Sequence, residues 1–417
     1  MVHTDLPKKA NPMSLRSNGF QTTDSNSFMP SVVSKNSKRI FLSAPHMSGR
    51  EIELIKEAFA SNYIAPVGPQ LVQFEEEFRN RTGFKHSVAV TNGTTAIHLM
   101  LRCIGIKPGD LVLASTLTFI GSVCGATYLG AKLKFVDCDE KSWCMDPNLL
   151  EAEIKSLLEK GIKPAAVLPT DNYGQSSDLD RLIDICRPHD IPVVCDCAET
   201  MGTIYKDRHT GKGATAAAFS FNGNKIITTS GGGMLASDDP KLIDYARHLS
   251  TQARQPGIQY QHDEVGFNYR LSNILAALGL AQFEVLDDRV QRKREIFDLY
   301  AAELGETPGI TLMPEADYGK GNRWLTAALF DVDKFGAGPQ GVIDALNEEN
   351  IEARPVWYPM HLQTVFADCE VVGGEVAEKI HRQGVCLPSG TSMTDEDVQR
   401  ICRVIRRLRQ GNNKPHF

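Results

Sequence analysis

Val193-Val194-Cys195-Asp196-Cys197-Ala198-Glu199 and, one supersecondary unit later, Phe219-Ser220-Phe221-Asn222-Gly223-Asn224-Lys225 with Gly231-Gly232-Gly233-Met234 are the stretches that decide the fold. The first reads as a short buried strand that ends in a carboxylate. The second reads as a strand that ends in a hydroxyl, a tight turn and a lysine. Apolar runs of the same kind lie at residues 87–91, 111–114, 133–136, 165–169 and 233–236. Helical periodicity follows several of them, over 95–103, 149–158 and 179–186. This alternation predicts an α/β architecture with a largely parallel central sheet.

A lysine amine at such a turn can form a Schiff base with an aldehyde, and a buried aspartate can keep a ring nitrogen protonated so that the ring accepts electrons. Lys225 and Asp196 are therefore the candidate catalytic pair, and pyridoxal 5'-phosphate is the cofactor that needs both. Either piece alone reads equally as a surface lysine or a strand-ending aspartate. Thr91-Asn92-Gly93-Thr94-Thr95 adds a third part, because it stands between a strand and a helix. Gly93 permits close backbone approach, and Thr94 and Thr95 offer amides and hydroxyls where a helix N-terminus favours a phosphate. The same residues also suit a plain helix cap. Ser220 is the second hydroxyl candidate.

The chain has 417 residues, 42% of them hydrophobic and 23% charged, with a net charge of −6. That length allows a large core and more than one domain. The net charge speaks against a broad nucleic-acid surface. No apolar run is long enough to span a membrane, and no secretory signal is evident, so a cytoplasmic protein is expected. Ten cysteines occur without zinc-like Cys-x-x-Cys pairing, which reads as reduced core thiols and no metal site. Cys195 and Cys197 should share one face of their strand, opposite Asp196.

Residues 1–38 are rich in Ser and Asn and predict a disordered leader. A large cofactor-binding domain is expected over 39–306 and a smaller α/β domain over 307–417. Ser48-Gly49-Arg50-Glu51 reads as a capping box, with Ile52, Ile55 and Phe59 on one helical face. The next helix carries Leu71, Phe74 and Phe78, and its Glu75-Glu76-Glu77 run reads as a solvated face. One long helical stretch over 273–304 should link the domains.

The Phe-Ser-Phe-Asn-Gly-Asn-Lys turn with its glycine run, and Asp-Cys-Ala-Glu-Thr-Met-Gly before it, resemble the DegT/DnrJ/EryC1/StrS sugar aminotransferases. Ser61-Asn62-Tyr63-Ile64-Ala65-Pro66, Ser250-Thr251-Gln252-Ala253-Arg254, Gly266-Phe267-Asn268-Tyr269-Arg270-Leu271-Ser272-Asn273, Arg354-Pro355-Val356-Trp357 and Met360-His361 resemble one subgroup more narrowly. That subgroup makes UDP-4-amino-4,6-dideoxy-N-acetylglucosamine, a bacillosamine precursor for bacterial glycans. The resemblance spans residues 39 to 408.

It implies the aspartate aminotransferase-like fold type I of pyridoxal-phosphate-dependent transferases, with a mixed seven-stranded sheet. It implies L-glutamate as amino donor and a UDP-linked 4-keto-6-deoxy amino sugar as acceptor. It further implies that Phe119 stacks on the cofactor ring, that Glu199 faces the cofactor or Lys225, and that Asn268 reaches the phosphate of the other subunit in a homodimer. Substrate contacts implied in the same way are Tyr63, Ile64, Ala65, Pro66, Asn322, Arg323, Trp324, Arg354, Trp357 and His361. The subgroup commonly has a lysine where this chain has Tyr358. GDP-perosamine and 3-amino-sugar aminotransferases are the neighbouring alternatives, and a non-catalytic regulatory protein is the remote one.

Overall fold

A computed structural model describes residues 38–412, so the expected leader lies outside the described residues apart from Lys38. All seven expected strands form. In sheet order they are His86–Val90, Gly233–Ser237, Ala216–Ser220, Val194–Asp196, Ala166–Leu168, Leu111–Ser115 and Lys132–Val136. Ladder pairing joins the first four and the last three, and bridges Val167–Val193 and Thr170–Asp196 join the two groups. Gly233–Ser237 runs antiparallel to both neighbours while the other pairings are parallel, so the sheet is mixed. The sequence did not anticipate an eighth strand, Glu370–Val372, which adds in parallel beside Lys132–Val136.

Successive strand residues point to opposite faces, and the core follows that period. Ala89, Leu113, Val167, Cys195, Ala217 and Phe219 pack into one apolar layer. Val88, Val90, Val112, Ala114, Val194, Ala216 and Ala218 pack into the other. Cys197 joins Cys195 in the first layer, and all ten cysteines are free thiols. Both faces being buried explains why these strands read as unbroken apolar runs.

A second sheet, ordered Ile310–Leu312, Thr326–Phe330, Gly384–Leu387 and Arg354–Pro355, packs with the helices Pro339–Glu348 and Asp395–Asn412 around a third core. Ile40 bridges to Ile351 and sits in that core, so the first described residues pack with the last third of the chain. The expected single helical link is two helices, Asn273–Glu284 and Leu286–Leu304, with Val285 between them.

Three local readings are corrected. The Ser48 capping box is only half formed. The helix Glu51–Ala60 begins at Glu51, whose carboxylate accepts from the Ser48 and Gly49 amides at 2.6 and 2.9 Å, while the Ser48 hydroxyl accepts from Arg50. The apolar face of that helix is not core: Ile52 and Phe59 are 62% and 59% exposed in the single chain. Glu75 is not on a solvated face. It is buried, and it accepts from the Ala89 amide at 2.7 Å and from Arg270 at 2.5 Å, with Arg247 at 2.9 Å. Those two arginines also donate to the Ala89 and Ser87 carbonyls, so one carboxylate ties its helix to the edge strand. Burial works to raise the Glu75 carboxyl, but Arg270 and Arg247 outweigh it and leave it below the usual range.

Glu75→Gln should therefore destabilise the fold by about 3 kcal/mol, because it strands two arginines in a largely buried site. A depressed carboxyl contributes stability above its unfolded pKa and loses it as pH falls through the folded value. The gap between wild type and variant, read by denaturant unfolding, should thus be full at neutral pH and shrink on acidification. An equal gap at all pH values would count against this ion triad.

Candidate active site

The carboxyl ends of parallel strands are where an open α/β sheet presents a crevice. Here Val194–Asp196 delivers Asp196, and Ala216–Ser220 delivers Ser220 and then the turn to Lys225. These residues line a chamber of about 310 Å³ with Thr94, Phe119, Glu199, Trp324 and Trp357. Among the described residues, Lys225 is the only lysine lining it.

Asp196 is buried at the chamber's base. Its carboxylate accepts from the Ser122 hydroxyl at 2.5 Å and the Ala198 amide at 2.9 Å. The Thr118 hydroxyl lies 2.5 Å from that of Ser122. Burial pushes the Asp196 carboxyl up, while the Ser122 and Ala198 hydrogen bonds and the Lys225 charge oppose the rise. A protonated ring nitrogen at this point would supply a close counter-charge, which suits the pair to a pyridinium.

Glu199 stands between Asp196 and Lys225. One carboxylate oxygen accepts from the Tyr173 amide at 2.7 Å, and the other lies 3.6 Å from the Lys225 amine. Burial drives its carboxyl up to about 7, against the pull of Lys225. The Lys225 amine also sits 4.0 Å from the centre of the Trp324 ring. A carboxylate on one side and an aromatic face on the other fix where that amine stands.

The start of the Gly93–Cys103 helix also lines the chamber. A Cβ at Gly93 would come within 2.9 Å of the Ser220 Cβ, so only glycine lets the strand end and helix start approach this closely. The Thr94 and Ser220 side chains line the space at that helix start. Thr95 does not. Its amide donates to Asn92 Oδ1 at 2.8 Å and its hydroxyl accepts from the Asn92 amide at 3.2 Å, so it completes a capping box. In this stretch, then, Thr95 serves the cap and Thr94 lines the chamber. A buried carboxylate, an amine, an aromatic wall and a helix start flanked by the Thr94 and Ser220 hydroxyls fit pyridoxal phosphate.

The other expected residues fall into groups. Phe119 lines the chamber, with its ring 5.4 Å from that of Trp357. Trp324 and Trp357 also border an adjoining cavity of about 790 Å³, together with Arg354, Phe41, Tyr358 and His381. Tyr173 stacks between the two indoles, at 6.5 and 5.9 Å, and its hydroxyl accepts from the Trp357 amide at 2.9 Å.

Asn322 and Arg323 line neither cavity. Asn322 is fully buried, donates to the Glu199 and Met201 carbonyls and accepts from the Trp324 amide. Arg323 lies over the Phe297 ring and donates to the Met313 carbonyl. His361 is likewise occupied, with Nδ1 2.6 Å from the Thr116 hydroxyl and Nε2 3.3 Å from Glu378. Tyr63, Ile64, Ala65 and Pro66 form an exposed turn outside both cavities, held by Asn273 through the Tyr63 and Ala65 carbonyls. Asn268 is exposed and lines neither cavity.

Sequence reasoning missed Ser122 and Tyr173. A small Gly121-Ser122 pair opening a helix just after Phe119 was a usable signal for the first. Tyr173 has φ 52°, a left-handed conformation that the following Gly174, with φ 99°, hints at.

Comparison with known proteins agrees with this geometry. The sequence profile of the DegT/DnrJ/EryC1/StrS aminotransferase family matches residues 45–406. EpsN of Bacillus subtilis (strain 168), named as a pyridoxal phosphate-dependent aminotransferase, is 45% identical over 375 residues, covering 89% of this chain and 96% of its own. A GDP-perosamine synthase of Caulobacter vibrioides is 35% identical over 364 residues, with 87% and 96% covered. The crystal structure of S. venezuelae DesV in complex with a ketimine intermediate has a TM-score of 0.79 at 28% identity, covering 87% of this chain and 95% of that one.

Proposed function

Because the chain belongs to the DegT/DnrJ/EryC1/StrS aminotransferase family, we propose a sharper reading than membership alone gives: it moves the amino group of L-glutamate to C4 of UDP-2-acetamido-2,6-dideoxy-4-keto-hexose. The products are 2-oxoglutarate and UDP-4-amino-4,6-dideoxy-N-acetylglucosamine, a building block for bacterial glycans or glycoproteins. The coarse activity is that of the family, pyridoxal-phosphate-dependent amino transfer onto a nucleotide-linked sugar. The observation that carries the reading is the adjoining cavity, which shares Asn224, Trp324 and Trp357 with the Lys225 chamber. It leaves room for a nucleotide behind a sugar that enters the chamber.

When bound, pyridoxal phosphate supplies the aldehyde that carries the amino group and the ring that takes up the electrons of a broken C–H bond. Around it, Thr94, Ser220 and the helix start would hold the phosphate, and Phe119 would cover one ring face. Asp196 would keep the ring nitrogen protonated, with Ser122 and Ala198 holding its carboxylate in place. The Lys225 amine, once released, is the general base that takes the donor's α-proton, and it returns protons in the second half of the cycle. Glu199, titrating near 7, stands within 3.6 Å to share that proton. Two half-reactions in one chamber predict ping-pong kinetics.

A GDP-perosamine type of reaction is the second reading, favoured by the Caulobacter relative. Turnover on UDP-, GDP- and dTDP-linked 4-keto-6-deoxy sugars with glutamate separates the two. Preference for the UDP N-acetyl sugar supports the first. Activity confined to the GDP sugar sinks it. Ten free thiols support a reducing, cytoplasmic setting, and among the described residues no helix is long and apolar enough to cross a membrane.

The reading includes a homodimer with shared sites. Asn268 and the Tyr63–Pro66 turn are exposed and do not line their own chain's chamber, and Ile52 and Phe59 are exposed on one helix face. Asn268→Ala should weaken cofactor binding in the other subunit's site. Mixed with Lys225→Ala protein, it should form heterodimers with one site carrying both defects and one carrying neither. About half the wild-type activity per heterodimer should return. No recovery after confirmed subunit exchange would mean that Asn268 does not serve the opposite site.

A further inference from the structure

Lys293, on the Leu286–Leu304 helix, is 2% exposed, and no carboxylate pairs with it among the described residues. Burying an unpaired ammonium is costly, and an apolar side chain would fill the same space without that cost. Two acceptors receive its amine: the Trp324 carbonyl at 2.8 Å and the Ser43 hydroxyl at 3.2 Å. Both lead to the same place. The Ser43 hydroxyl donates to the Asn224 carbonyl at 2.9 Å, and the Trp324 indole N–H donates to that carbonyl at 2.8 Å. Asn224 immediately precedes Lys225, and the Trp324 ring faces the Lys225 amine. Lys293, Ser43, Asn224 and Trp324 thus close a ring of hydrogen bonds behind the lysine turn. Burial alone brings the Lys293 amine down to about 7, as expected of a cation with no counter-ion.

We propose that Lys293 is a positioning residue for Lys225: by holding Ser43 and the Trp324 carbonyl, it fixes the Asn224 carbonyl and the indole, and so sets where the Lys225 amine stands. The inference rests on the reading of Lys225 as the cofactor lysine. It gives this buried amine a task in the reaction although it touches neither cavity.

The test uses Lys293→Met, Ser43→Ala and the double variant in the full chain, with Lys225→Ala as control. In cofactor-free protein, an amine-reactive reagent followed by peptide mass spectrometry reads how fast Lys225 is labelled. In loaded protein, visible absorbance against total released cofactor reads the covalently linked share. Each single variant should label Lys225 at least about threefold faster, because the turn opens more often. Each should also lower the covalent share and cut kcat about tenfold, with KM for glutamate nearly unchanged. The double variant should be no worse than the worse single, since both break one ring.

Wild-type labelling and covalent share in both variants would overturn the proposal, as would losses that add in the double. Should Lys293→Met fail to fold, Ser43→Ala decides alone, because it removes only a hydroxyl from a half-buried site. The control separates the two ideas. Linkage absorbance that persists in Lys225→Ala overturns the reading of Lys225 and, with it, the positioning role of Lys293. Absorbance lost there, with wild-type labelling and covalent share in every variant that folds, overturns the positioning role of Lys293 alone.

Discussion

Lys225→Ala is expected to abolish turnover, by about 10⁴-fold or more, while leaving the fold intact. The amine is the only lysine group in the chamber among the described residues, so no other lysine there can link to the cofactor. The fold should survive because the loss falls on Glu199, which responds by protonating. Its carboxyl already titrates near 7, and Lys225 is the largest influence holding it down. Without that charge it should titrate higher and stay neutral through the physiological range. The chamber still offers Thr94, Ser220 and Asp196, so cofactor should bind without a covalent bond. Kinetics, far-ultraviolet circular dichroism and equilibrium dialysis with cofactor check the three parts. Measurable turnover in this variant would remove Lys225 from the reaction.

Asp196→Asn should lower kcat by roughly 10²–10⁴-fold, the range for losing a group that holds a proton in place. Its effect on stability should be small. The amide keeps the shape of the side chain, and its oxygen can still accept from Ser122 or Ala198. It also removes a carboxylate that burial disfavours. What the amide cannot supply is negative charge at the ring nitrogen. A variant with cofactor bound and a near-normal rate would show that another group supports the ring.

The strands were legible because both faces of the sheet are buried, so each reads as an apolar run bounded by turn residues. Lys225 and Asp196 were legible for a related reason: chemistry that needs an amine and a carboxylate at strand ends leaves them in fixed local patterns. Glu75 was not. A run of three glutamates looks solvated, and only the fold brings Arg247 and Arg270, some two hundred residues away, against the first of them. Thr95, which completes the cap, and Thr94, which lines the chamber, were indistinguishable in sequence, since they are the same residue type at the same helix end. Asn322, Arg323 and His361 illustrate the converse. They lie beside residues that do face the cavities, but their side chains turn toward backbone carbonyls, a hydroxyl and a carboxylate. The eighth strand, Glu370–Val372, is short, and nothing local marks it as joining a sheet whose other members lie far earlier.

One lysine, Lys225, should join the cofactor in the chamber that Asp196, Glu199 and Trp324 line. Borohydride reduction of the wild-type protein loaded with pyridoxal phosphate, followed by peptide mapping, tests it most directly. The expected result is a single modified peptide carrying the label on Lys225. Label on Lys293 or any other lysine, with Lys225 unmodified, would contradict the account.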